Sequence, residues 1–203
     1  MRMKDDHMQN GQLKPGYNAQ ISTENQIVVN YTIHQDANDL HTLSGHLLEH
    51  EALYGQLPQE LVADAGYGSE ENYQLLEDKG VEPYVKYPSF NKEEKLVKAR
   101  TARKPFERDQ LYYNALEDYY VCPMGQHMEY QYTTRSTTKS GLVQHTRLYK
   151  AKNCQGCPLR GMCHKGAAER VVTRNALLEH YKARARERLL TEKGEELRKR
   201  RTA

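Results

Sequence analysis

Between residues 17 and 87 the apolar positions change their period along the chain, alternating in some stretches and recurring every three or four residues in others. That pattern confines the fold to strands interleaved with helices, because alternation buries one strand face whereas a 3.6-residue period buries one helix stripe. Residues 17–35 hold two β-type runs around the polar break Ser22-Thr23-Glu24-Asn25, a hairpin signal. Ile27, Val29, Tyr31 and Ile33 alternate strictly and define one apolar face. Asp39 is placed to cap a helix from Leu40 to about Tyr54, with Leu40, Leu43, Leu47 and Leu48 on one side and Gly55 as the stop. Leu61-Val62-Ala63 is a short apolar run, Ser69 with Glu70 and Glu71 opens a helix that closes at Gly80, and Val81 to Tyr87 reads as a strand apart from Pro83. The order β-β-α-β-α-β predicts an α/β layout, a mixed sheet covered by helices.

The remainder differs in kind. Residues 91–110 form a basic linker or helix, 111–170 a β-rich unit carrying all four cysteines, and 171–203 a basic helix in which Leu177, Tyr181, Ala185 and Leu189 share a face. With the α/β segment 1–90 these give four expected regions. Residues 1–90 hold 5 Lys/Arg against 14 Asp/Glu, while 91–203 hold 25 against 13. An acidic half joined to a basic half fits a cation-binding face beside a polyanion-binding surface, and equally two ordinary solvated domains. There is no apolar run long enough to span a membrane, and residues 1–10 lack the apolar stretch of an export signal. The expected compartment is the cytoplasm.

Asp64 stands directly after the run Leu61-Val62-Ala63 and before Ala65-Gly66-Tyr67-Gly68. A carboxylate at the carboxyl end of a strand in an open α/β sheet lies where such folds bind ligands. Gly66 and Gly68 allow a sharp turn there, leaving Asp64 either to hold a divalent cation or simply to cap the turn. The cysteines Cys122, Cys154, Cys157 and Cys163 have the spacing C-x31-C-x2-C-x5-C. They suit a structural Zn²⁺ site or ordinary reduced thiols, since a cytosolic chain disfavours disulfides. Lys98, Arg100, Arg103, Lys104, Arg184, Arg188 and Arg200 are placed to contact nucleic-acid phosphates, although interleaved glutamates could pair with the C-terminal ones. Fifteen tyrosines and no tryptophan make Tyr the main aromatic, and Tyr112, Tyr113, Tyr119, Tyr120, Tyr130 and Tyr132 could stack on bases or pack between strands.

Four segments together, Met1–Gln20, Val62–Tyr73 (VADAGYGSEENY), Glu82–Tyr87 (EPYVKY) and the cysteine segment CPMG…NCQGCPLRGMC, resemble the IS1182-type branch of DDE insertion-sequence transposases. The resemblance implies that residues 1–90 are part of a ribonuclease H-like catalytic core, with the cysteine-bearing β-rich unit as an insertion and a basic helix after it. It implies metal-dependent cleavage and joining of transposon-end DNA with Mg²⁺ or Mn²⁺, and makes Asp64 the second of three metal-binding acids. The first acid of that family lies upstream of the segment matched by residues 1–20 and the third in a downstream block; neither has a counterpart here. Asp5, Asp6, Glu195 and Glu196 are not substitutes. The expectation is therefore an internal fragment, from a mutated reading frame or an excised segment, inactive alone because the ions need all three acids. The rival expectation is a non-catalytic, zinc-stabilised DNA-binding or regulatory product, able to self-associate or assemble with an intact transposase.

Overall fold

The computed structural model describes residue 11, residues 16–99 and residues 106–202. The chain divides into two compact units, the first built from 1–90 and 177–203, the second from 91–176. The architecture is mixed α/β, with six α-helices among the described residues and a five-stranded antiparallel sheet in the second unit.

In the first unit, β1 (Asn18–Glu24) and β2 (Ile27–His34) form an antiparallel hairpin. Its turn lies at Asn25-Gln26, both with positive φ (49° and 69°), slightly beyond the polar break the sequence pointed to. Such turns match the twist of the flanking strands, and Asn tolerates the left-handed region. The apolar face is turned outward: Ile27, Tyr31 and Ile33 are 68%, 67% and 55% exposed, while Asn30 and Thr32 on the other face are 4% and 7% exposed. The polar face is chosen because its partners are polar. Asn30 donates to the His46 carbonyl at 3.1 Å, and Thr32 Oγ1 lies 2.8 Å from both His34 Nε2 and His46 Nδ1.

His46 sits on α1 (Leu43–Tyr54), which ends at Gly55 in the left-handed conformation. The helix starts later than expected because Asp39–His41 form a 3-10 turn, leaving buried Thr42 ahead of the first helical residue. β3 (Glu60–Ala63), α2 (Glu70–Asp78) and β4 (Glu82–Val85) make a parallel β-α-β unit, the connection that parallel strands require. The hairpin and the parallel pair are separate two-stranded sheets rather than one mixed sheet.

The C-terminal basic stretch is two helices, α5 (Ala176–Leu189) and α6 (Glu192–Thr202). The break is at Thr191, whose hydroxyl accepts from Gly194 N at 3.0 Å, an N-cap arrangement. Tyr181, Ala185 and Leu189 join Leu43, Leu47, Tyr73, Leu76, Val85 and Phe90 in the core of the first unit. Leu177 and Leu48, expected on the buried faces, are exposed.

In the second unit, α3 begins at the boundary (Phe90–Lys98). The sheet runs in order β5 (Tyr112–Asn114), β6 (Tyr119–Val121), β7 (His127–Thr137), β8 (Val143–Ala151) and β9 (Val171–Arg174). A short helix, α4 (Arg160–Cys163), lies between β8 and β9. Tyr120, Met128, Tyr149, Ala151 and Val172 form its core. Tyr113 and Tyr149 both donate to Asp118 Oδ1 at 2.6 Å. Burial raises the Asp118 carboxyl, but these two hydrogen bonds and the charges of Arg147 and Arg174 outweigh it and hold the group below its usual range.

Candidate functional site

Asp64 follows β3 at its carboxyl end and caps a 3-10 turn over Ala65–Tyr67, with Oδ1 accepting from Gly66 N at 2.9 Å. The turn is fixed from beneath by α2: Ser69 Oγ accepts from Asn72 N at 3.1 Å, and the Asn72 amide donates to the Tyr67 carbonyl at 2.9 Å. Tyr73 on the same helix donates to the Val85 carbonyl at 3.1 Å, tying the helix to β4. The two glycines of the turn are required for space rather than for unusual torsions, since neither has positive φ. A Cβ on Gly68 would stand 2.2 Å from the Lys86 carbonyl oxygen and 2.7 Å from Tyr87 Cα.

A Cβ on Gly66 would stand 2.8 Å from Asp39 Oδ2 and 3.0 Å from Asp64 Oδ1, so the two carboxylates meet over one glycine. Asp39 was expected to cap a helix. Instead its Oδ1 accepts from the amides of Asn18 at 2.8 Å and Gln20 at 3.0 Å, which aligns the carboxylate and leaves Oδ2 beside Gly66. The sequence offered a faint signal in the spacing of Asp39 a few residues beyond an alternating strand, matching the place of Asp64 after its own. Tyr67 beside them is pushed up to about 12 by burial first, then by the charges of Asp39 and Asp64. Arg201 approaches the other side of Asp64, Nη1 to Oδ2 being 3.7 Å. A cleft of about 490 Å³, lined by Tyr17, Asn18, Asp39, Ala65, Gly66 and Pro88 among others, opens beside Asp39 and the turn that follows Asp64.

Two hard oxygen donors opening on a cleft suit a divalent cation such as Mg²⁺, which commonly takes one or two carboxylates and completes its shell with water or phosphate. Asp64 and Asp39 are the residues that could hold one. No cluster of three or more His, Cys, Asp or Glu suited to a metal occurs among the described residues. Glu195 and Glu196 are engaged with Arg198 and Arg200.

The same observation leaves the zinc expectation without support. Cys122, Cys154, Cys157 and Cys163 are all free and partly buried, and two have taken a different partner. Arg170 donates its Nη1 to Cys163 Sγ at 2.7 Å and its backbone N to Cys154 Sγ at 3.3 Å. Cys122 and Cys154 pack against the core of the sheet.

Of the residues proposed for phosphate contact, Lys98 is exposed at the end of α3. Arg184 is engaged by Glu77, Arg188 lies 3.5 Å from Glu82, and Arg200 lies 2.6 Å from Glu196. Arg100, Arg103 and Lys104 lie outside the described residues. Among the tyrosines, Tyr120 is buried, Tyr119 stacks on His127 with ring centres 3.9 Å apart, and Tyr112, Tyr130 and Tyr132 are exposed.

A family model described as Transposase DDE domain matches residues 121–203. Over that segment the chain resembles a transposase DDE domain, and the function this implies is transposase-related. The matched residues run from the end of β6 through α6 and do not include Asp39 or Asp64. No curated protein matches the chain, and no solved structure matches it. No helix among the described residues is long and apolar enough to cross a membrane.

Proposed function

We propose that this chain is a piece of a DDE-type insertion-sequence transposase of the IS1182-type branch, with a partial ribonuclease H-like core in which Asp64 is a metal-binding acid. The observation that carries the reading is the Transposase DDE domain match over residues 121–203. The β3-α2-β4 unit supports it independently by presenting Asp64 at the carboxyl end of a parallel strand. A divalent ion held there would supply charge for activating a nucleophile and stabilising a leaving phosphate oxygen. This chain's own residues do the positioning: Gly66 N orients Asp64, Asn18 and Gln20 orient Asp39, and Arg201 adds a positive charge beside Asp64.

Two converging acids fall short of the three that strand cleavage uses, so the chain binds DNA and does not cut it alone. The test is nicking of supercoiled plasmid with Mg²⁺ or Mn²⁺, alongside duplex binding by fluorescence anisotropy. Binding without nicking is expected, for the unaltered chain and for Asp64→Asn alike. Metal-dependent nicking that disappears in Asp64→Asn would make the chain a complete enzyme, and failure to bind duplex DNA would remove the transposase reading.

A further inference from the structure

Residues 130–168 contain seven Lys/Arg and no Asp or Glu. Most of the long hairpin of β7 and β8 lies in this stretch, its pairing running from Met128↔Ala151 out to Thr137↔Val143, with Glu129 near the base paired to Lys152. Near its base it belongs to the sheet, where Met128, Tyr149 and Ala151 are buried. Further out it stands bare: every β7 residue from Glu129 to Thr137 is exposed. On β8 only Val143 and His145 are exposed, but a strand as bare as outer β7 gains little from burial, so its composition answers to something other than the core.

That composition is hydroxyl-rich and cationic. Thr133, Thr134, Ser136, Thr137, Thr138, Ser140 and Thr146 accompany Arg135, Lys139 and His145. The pairing register sorts them. An irregularity between Tyr130 and Tyr132 shifts the alternation, so Tyr130, Thr133 and Arg135 share a face with Tyr149, Arg147 and His145 across the ladder. Along this face the Arg147 guanidinium lies 4.8 Å from the Tyr130 ring centre, and the Tyr130 hydroxyl is 2.9 Å from Thr133 Oγ1. Asp118 accepts from Arg147, holding the base of the stripe in place. The far end is ordered as well: Thr138 N donates to the Leu142 carbonyl at 2.9 Å, Gly141 N donates to the Thr138 carbonyl at 3.1 Å, and Leu142 N donates to Thr138 Oγ1 at 3.1 Å. Gly141 at φ 96° makes this closure possible, and Lys139 and Ser140 sit at its tip.

We infer that the β7–β8 hairpin is a DNA-binding arm that lies in a groove of duplex DNA, with Arg135 and Lys139 toward the phosphates and the Thr and Ser hydroxyls toward backbone and base edges. Charge complementarity selects the partner, since the outer hairpin, residues 133–146, carries Arg135, Lys139 and His145 and no acid, which suits a polyanion. Shape selects the duplex: a two-stranded ribbon fits the B-form major groove of about 12 Å, and the 11 residues of β7 extend roughly 35 Å along it. The hydroxyls and cations are the groups that bond phosphate oxygens most often. The inference deepens the DNA-acting reading proposed above and rests on it.

The test is anisotropy of the full chain with a labelled random-sequence duplex of about 25 base pairs across a salt series, beside a single strand of the same length. The double variant Arg135→Ala/Lys139→Ala is expected to weaken duplex binding at least tenfold and to lower the slope of log affinity against log salt by about 2. Arg135→Lys/Lys139→Arg is expected to keep both values, which separates loss of charge from loss of fold. Lys92→Ala, removing a charge on α3, is expected to change affinity less than twofold. Duplex binding indifferent to the alanines overturns the arm and leaves the transposase reading standing, as does equal loss in the charge-preserving variant. A single strand bound as tightly as the duplex overturns the groove placement. No binding by the unaltered chain overturns both.

Discussion

Replacing Gly68 by alanine tests whether the turn carrying Asp64 is held by a backbone crossing. The torsions at Gly68 are not the obstacle, because φ is −76°, which any residue adopts. The obstacle is Lys86 O at 2.2 Å and Tyr87 Cα at 2.7 Å from the new methyl. Both are main-chain atoms, so no side-chain rotation relieves the contact. Reaching even 3.0 Å requires the two segments to part by about 0.8 Å, and interiors are too densely packed to absorb that freely. The displaced strand exit carries Tyr87 and Phe90, both fully packed in the core, and the 3.4 Å hydrogen bond from Lys86 N to the Ala63 carbonyl. Overpacking of this kind costs about 3 kcal/mol, the upper part of its usual range. For a chain of this size the thermal midpoint should fall by roughly 6–12 °C. The assay is thermal unfolding by far-UV circular dichroism, with Gly161→Ala in parallel. A methyl at Gly161 meets nothing within 4 Å and removes a flexible residue from a helix, so that variant should melt at or slightly above the unaltered chain. A Gly68→Ala midpoint within about 2 °C of the unaltered chain would refute the crossing as a constraint.

Leu189→Ala truncates a fully buried side chain of α5 in the core of the first unit and should cost about 2–5 kcal/mol in the same melt; an unchanged midpoint would mean that α5 adds nothing to that core. His46 is held below its ordinary 6.5 by burial first and then by the charge of His34. The stability this gives is complete above pH 6.5 and is lost as pH falls through the lowered folded value, so His46→Gln should flatten the stability–pH curve in that window, and an equally steep curve in the variant would contradict the assignment. Incubation with EDTA should leave the melting curve of the full chain unchanged, because Arg170 donates to both Cys154 and Cys163; a lowered midpoint together with about one zinc per chain would restore a zinc site.

The parts of the fold legible in the sequence were those decided by local chemistry. Ser69 announced α2, Gly55 the end of α1, and the run Leu61-Val62-Ala63 the strand that delivers Asp64. The parts that misled were decided by neighbours. Ile27, Tyr31 and Ile33 alternate as a core face would, but Thr32 and Asn30 on the opposite face bind His46, and polar groups so matched are buried in place of the apolar ones. Asp39 and Asp64 are 25 positions apart, and the amides of Asn18 and Gln20 that hold the first carboxylate near Gly66 come from a strand still further upstream. The ion-pair partners of Arg184 and Arg188, Glu77 and Glu82, are contributed by distant segments rather than by the interleaved glutamates of their own helix. The exposure of the β7–β8 hairpin left no mark in its alternation, only in the absence of acids.

The first unit draws its core from both ends of the chain, with residues 91–176 between them. During synthesis at about 5–20 residues per second, Phe90 and Leu76 therefore wait roughly 5–23 s for Tyr181, Ala185 and Leu189 to emerge. The second unit, contiguous in sequence, can close its sheet within that interval. Over the same seconds the parallel β3–β4 pair stands with part of its apolar cover missing, which makes the nascent chain a substrate for holding chaperones and makes late truncations more damaging to the Asp64 turn than their distance along the sequence suggests.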